Sequence, residues 1–307
     1  MAIVRKEYFG IARKIVSNMT SESWQDIPHA TMSYEADVTE MMPYYKKLNE
    51  GVTDKSKKIT LNTLMIKVIC EGLTAAPKMN CTLHYRKYWV RGTLNYQDEI
   101  NVSMPVLLNT GEMMTINMHD MGRKTLVEMT DHINDKVRRA ANSDMNEVMY
   151  QVSLSNTLHG LKNGHFIQTV NRLLGSKLPG HHRVNVLTGK AKREYYKIPE
   201  SDRLTKYDIE QGTTTISNLG SIYKDQKGLC MLLEIIPPQT TAFAVNAIQE
   251  MPKVVTNENG EKEIQIRQIL PLTIAIDHRS LDYDDCLPFF KRLDDIFANP
   301  AQILEWK

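Results

Sequence analysis

Residues 262–277, KEIQIRQILPLTIAID, are the later of two β-rich runs; the earlier is TTAFAVNAIQ at 240–249. They are joined across Asn257, Glu258, Asn259 and Gly260, and such a cluster of turn formers between strand-like runs is a hairpin signal. A chain built around so much paired extended backbone needs a layer that covers one face of its sheet. The helical periods elsewhere supply it. Residues 59–76, ITLNTLMIKVICEGLTAA, are long, apolar and rich in helix formers, with Thr60 or Asn62 available as a cap, and predict a central core helix. Helices are also predicted over 10–20, ending before Pro28, over 39–48, over 125–141 and over 284–297. Further strands are predicted at HATMSYEADV, where Ala30, Met32, Tyr34 and Ala36 form one face, near 82–90 and 100–108, and at 213–219. Helices and strands in blocks predict an α+β architecture.

Composition narrows the functional classes. The 38 Lys and Arg against 36 Asp and Glu leave +2, too little for a bulk attraction to nucleic acid. No apolar run approaches the roughly 18 residues of a membrane span, and Arg5, Lys6 and Glu7 interrupt any signal-peptide core. Cys70, Cys81, Cys230 and Cys286 are widely spaced without a CxxC pair, which predicts buried thiols and a cytoplasmic protein. No metal site is expected. His181 and His182 are adjacent in a basic loop without acidic or thiol companions, and the 17 methionines suit core filling. His29, after Pro28, is read as a hydrogen-bonded structural histidine.

Two short segments carry groups suited to chemistry. DHRSLD at 277–282 puts His278 at a strand end, with Asp282 four residues on, and imidazole is the side chain best matched to proton transfer near neutral pH. GTTTISNLG at 212–220 ends a strand in Ser217 and Asn218, which offer a hydroxyl and an amide to a developing oxyanion. Each pattern alone is common; their co-occurrence in order is not.

Taken together, IPHATMSYEADVTEM, the helix beginning KITLNTLMIKV, GTTTISNLG, IIPPQTTAFAVNAI and PLTIAIDHRSLDYDD resemble the catalytic domain of the dihydrolipoamide acyltransferases, the E2 components of 2-oxoacid dehydrogenase complexes. The resemblance spans nearly the whole chain and implies a chloramphenicol acetyltransferase-like two-layer sandwich, with helices packed on a mixed central sheet. It implies His278 as catalytic base, Asp282 as a structural anchor paired with an arginine, and Ser217 as hydroxyl donor. It further implies a homotrimer, possible assembly into a larger cage, and coenzyme A and a lipoyl arm entering a channel between subunits from opposite ends. Asn218 and Lys58 are candidate coenzyme A-binding residues, since ammonium groups suit phosphates. The chemistry is compatible: proton transfer from a thiol to an imidazole is uphill by about two pKa units, roughly 2.7 kcal/mol. A hydroxyl donor contributes about 2.7 to 4 kcal/mol to an oxyanion transition state.

The sequence departs from the family pattern in three places. Tyr283 stands where the family has glycine, which is expected to narrow the site; GEMMTI at 111–116 puts Thr115 in place of proline; and residues 142–205 read as an insertion. The expected organisation is one acyltransferase domain over 1–307, without a lipoyl or subunit-binding domain, so that any lipoyl group or other 2-oxoacid dehydrogenase subunit is a separate partner chain. Two rival readings keep the fold: an acetyltransferase acting on a small alcohol or amine, and a non-catalytic structural trimer.

Overall fold

A computed structural model of the chain describes residues 3–107, 113–162 and 186–307. Chain order gives α1 (Ile11–Asp26), β1 (His29–Asp37), α2 (Met41–Leu48), α3 (Leu61–Ala75), β2 (Cys81–Arg86), β3 (Arg91–Tyr96), β4 (Val102–Leu107), β5 (Met113–Met118), α4 (Leu126–Ala141) and α5 (Met145–Lys162). There follow α6 (Gly189–Tyr195), α7 (Lys206–Ile209), β6 (Thr214–Asn218), α8 (Leu219–Ile222), β7 (Thr241–Val245), β8 (Gln249–Thr256), β9 (Lys262–Asp277) and α9 (Tyr283–Ala298). A seven-stranded sheet runs in the order β1–β9–β7–β6–β4–β5, with β8 also paired to β9. It is mixed: β6 is parallel to β4 and β7, whereas β1, β7 and β8 are antiparallel to β9. The α+β expectation holds.

The chain divides into two compact units. In the larger one (Ser23–Pro105, Met118–Asn134, Gly212–Lys307), α3 is the central helix, as its composition predicts, and Leu64, Met65, Ile66, Val68 and Ile69 are wholly buried. Thr60, not Asn62, supplies the cap, its hydroxyl accepting from the Thr63 amide at 3.1 Å. Gly72 lets α9 approach: a β-carbon there would lie 2.6 Å from the Phe289 ring and 2.9 Å from Leu293. Phe289 in turn stacks on Phe243 of β7 at 5.4 Å, so the helical layer is keyed to the centre of the sheet. Edge strand β1 alternates as its sequence predicts, with Ala36 buried and Thr31, Ser33 and Glu35 exposed.

Two strand assignments change. The run 240–249 is not one strand: β7 pairs with residues 272–276 of β9, and a separate β8 pairs with residues 262–269 across the NENG turn. Asn246 makes the break, because its amide nitrogen donates to the Pro271 carbonyl at 2.9 Å and its Oδ1 accepts from the Cys230 amide at 2.9 Å. The strand predicted over 82–90 stops at Arg86, turns through residues 87–90 and returns as β3.

The smaller unit (Met1–Glu22, Val106–Asn117, Asp135–Gln211) includes the described part of the 142–205 segment. A buried ionic knot orders it. Asp208 accepts hydrogen bonds from Lys136 and, at 2.7 Å, from Arg139; it also accepts from the Thr205 amide at 2.8 Å and hydroxyl at 2.9 Å. Burial alone would raise the Asp208 carboxyl, but the Lys136 and Thr205 hydrogen bonds outweigh it and hold it below the ordinary carboxylate value. Beside the knot, buried Glu147 accepts from the Tyr196 hydroxyl and from Lys192, both at 2.8 Å. His181, His182, Gly111 and Glu112 lie outside the described residues; Thr115 is exposed on β5. Among the described residues no helix is long and apolar enough to cross a membrane.

Candidate active site

His278 is the first residue beyond β9, and its position is over-determined. Its amide donates to the Pro28 carbonyl at 3.0 Å, which closes the turn against the start of β1. On its two sides, wholly buried Asp277 and Arg279 form a pair: the guanidinium meets both carboxylate oxygens, at 3.0 Å and 2.6 Å, and Asp277 also accepts from the Arg279 amide at 3.0 Å. Arg279 lies over the ring of Tyr85 at 5.5 Å. With its neighbours held in this way, the His278 side chain faces solvent, 56% exposed.

The imidazole tautomer follows from its contacts. Nδ1 is 3.2 Å from the Leu281 carbonyl oxygen, and since a carbonyl only accepts, the contact favours a proton on Nδ1. Nε2 is left with its lone pair. Asp282 Oδ1 lies 3.3 Å from Nδ1, placed to stabilise an imidazolium. This corrects the expected Asp282–arginine pairing: Asp282 sits at the N-terminus of α9 beside His278, its amide donating to Asp285 at 3.0 Å, while the arginine of the motif belongs to Asp277. Sequence reasoning passed over Asp277 and Arg279, although an acid and a base flanking His278 were there to be read as its clamp. Tyr283 is exposed on the first turn of α9, its ring 6.0 Å from Phe290.

Ser217 lies on β6, buried, and its hydroxyl has no hydrogen-bond partner among the described residues. Asn218 fastens the strand end: Oδ1 accepts from the Ser221 amide at 2.7 Å, starting α8, and Nδ2 donates to Asn62 Oδ1 at 2.6 Å. Lys58 is exposed and its side chain makes no ion pair among the described residues, in contrast to Lys57, which pairs with Asp131 at 2.8 Å. His29 is structural as expected, Nε2 accepting from the Ile235 amide at 3.1 Å.

The sheet register fixes how far apart base and hydroxyl lie in one chain. Ser217 is level with Ala244 on β7, and Ala244 with Thr273 on β9. His278 is five residues beyond Thr273, so at about 3.3 Å per residue and about 4.8 Å per strand spacing the two backbone positions are roughly 19 Å apart. One chain does not bring them together.

A sequence model of the 2-oxoacid dehydrogenases acyltransferase (catalytic domain) family matches residues 3–154 and 189–305, leaving 155–188 unmatched. The chain belongs to that acyltransferase family. Curated relatives include the dihydrolipoyllysine-residue acetyltransferase component of the pyruvate dehydrogenase complex of Rickettsia prowazekii, 24% identical over 49% of this chain and 36% of the relative. The mitochondrial counterpart of Schizosaccharomyces pombe is 22% identical over 95% of this chain and 45% of the relative. This acyltransferase chain therefore spans less than half the length of these relatives. Among solved structures, the cubic core of the pyruvate dehydrogenase multienzyme complex matches with a TM-score of 0.65 at 17% identity, covering 98% of this chain and 94% of that one. A structure addressing a serine, a histidine and an asparagine in the mechanism of Azotobacter vinelandii dihydrolipoamide acetyltransferase matches with a TM-score of 0.64 at 18% identity, over 98% and 94% of the two chains. At these identities the likeness establishes the acyltransferase fold.

Proposed function

We propose that the protein transfers a short acyl group between coenzyme A and a dihydrolipoyl-type thiol borne by a carrier domain, in a site completed by two neighbouring protomers of a trimer. The observation that carries the reading is the pairing of an exposed imidazole, its Nε2 free, with an unpartnered Ser217 hydroxyl too distant to serve it within one chain. Nε2 of His278 removes the proton of the incoming thiol; the thiolate attacks the thioester carbonyl, and the Ser217 hydroxyl of the adjoining protomer donates to the oxyanion. On collapse the leaving sulfur departs and takes the proton back from Nε2. The Leu281 carbonyl holds the tautomer, and the Asp282 carboxylate offsets the transient imidazolium charge. The Asp277–Arg279 clamp keeps the ring in place, and Lys58 meets phosphate groups of coenzyme A.

The relatives support this reading: they are dihydrolipoyllysine-residue acetyltransferases, and a serine and a histidine serve in the mechanism of the Azotobacter enzyme. Its asparagine follows its histidine by four residues, the spacing of Asp282 from His278. The test is acyl exchange between acetyl-CoA and free dihydrolipoamide. His278→Ala is expected to reduce the rate by about 10²–10⁴-fold with the fold unchanged by circular dichroism; an unaltered rate overturns the assignment.

A further inference from the structure

The β2–β3 hairpin stands apart from the central sheet as a two-stranded ribbon. Its ten residues 84–93 are all exposed, and its tip presents Tyr88, Trp89 and Val90 at 98%, 71% and 79% exposure. Such aromatic exposure at one point is costly in water and marks a contact surface. Two further observations point to what it contacts. Arg86 and Arg91 form a directly opposed cross-strand pair, an arrangement of like charges that destabilises a hairpin, and neither guanidinium has a partner among the described residues. Lys87 adds a third cation, with only the distant Asp26 carboxylate, 3.9 Å away, beside it. Val90 closes the turn at φ +47°, a left-handed conformation that β-branched residues avoid. Local rules are broken at the tip in the way expected where an anionic partner supplies the compensation.

The base of the hairpin is tied to the candidate active site, because Tyr85 lies under Arg279 of the His278 clamp. We propose that the tip docks the acidic face of the protein domain that carries the acyl group to His278, an inference that rests on the acyl-transfer reading above. Trp, Tyr and Arg are the residues that dominate protein–protein binding energy, and the cations choose an acidic surface. A lipid surface would also accept this composition, but it would give the ribbon no reason to be anchored at the catalytic turn.

The test is titration of the intact protein with an isolated, acidic lipoyl domain from a pyruvate dehydrogenase complex, at low and raised salt. The wild-type protein is expected to bind, more weakly as salt rises; R86E and W89A are each expected to weaken binding about tenfold or more. R86E converts the opposed pair into Glu–Arg, so its thermal midpoint is expected not to fall, which separates lost docking from lost folding. The inference is overturned if the wild-type protein does not bind the domain, or if both variants bind it equally well. It is also overturned if the tip binds phosphatidylserine vesicles in place of the domain, or if either variant changes the oligomeric state in sedimentation, which would make a second copy the occupant. Exchange with free dihydrolipoamide bypasses docking: its absence in the wild-type protein counts against the proposed reaction, while its presence without domain binding counts against the hairpin alone.

Discussion

On the proposed reaction, His278 and Ser217 of one chain are separated by about 19 Å, as strand spacing and register require, so each working site would draw one group from each of two protomers. Two inactive variants should then rescue one another. Ser217→Ala removes a single oxyanion donor, a loss of about 10²–10³-fold, and His278→Ala removes the base, about 10²–10⁴-fold, so each homotrimer retains roughly 1% of the rate or less. Co-expressing the two in equal amounts with different affinity tags, and purifying through both, yields mixed rings. At a randomly populated heterologous interface, the chance that the histidine comes from the Ser217→Ala protomer and the serine from the His278→Ala protomer is about one half times one half, or about one quarter. Untagged statistics therefore predict acyl exchange near 25% of wild type, some 25-fold above either parent, and selection for both tags raises it further. A mixture no more active than the average of its parents would refute the shared site and, with it, the mechanistic use of the register.

Two further substitutions probe the scaffold. Gly72→Ala puts a methyl group within 2.6 Å of the buried Phe289 ring, and overpacking of about 1–3 kcal/mol is expected to outweigh the helix preference of alanine, about 1 kcal/mol; a lowered urea midpoint with unchanged slope checks it. Asp208→Asn leaves Lys136 and Arg139 without their buried counter-charge and is expected to cost about 3–5 kcal/mol. Because the folded Asp208 carboxyl is held below its unfolded value, its contribution is complete above about pH 4 and is lost as pH falls through the lower folded value; the variant's denaturation curve should be correspondingly flatter over that acid range.

Much of the fold was legible because the informative segments are regular. The alternation of β1, the apolar length of α3 and the NENG turn each point to one local structure, and each forms as read. The β2–β3 reversal escaped because residues 87–90, KYWV, contain none of the glycine, proline, asparagine or aspartate that announces a turn. Helix α5 escaped because its apolar residues and its Asn, Gln and Ser do not sort onto opposite faces, so no helical period stands out. At the site, DHRSLD announced a strand-end histidine, but which acid serves which base depends on the turn: Asp277 points inward to Arg279, whereas Asp282 comes round to the imidazole. The separation of Ser217 from His278 is a matter of register across three strands, which local pattern does not encode.

Helix α3 has a consequence beyond filling the interior. Near its start, Asn62 grips the amide of Asn218 next to Ser217; ten residues on, Gly72 seats α9, the helix that grows directly out of the His278 turn. Those ten residues amount to about 15 Å of rigid rise. On the proposed reaction the helix thus works as a gauge block between the hydroxyl donor and the base of one protomer, and alterations deep beneath it would retune acyl transfer without touching any substrate.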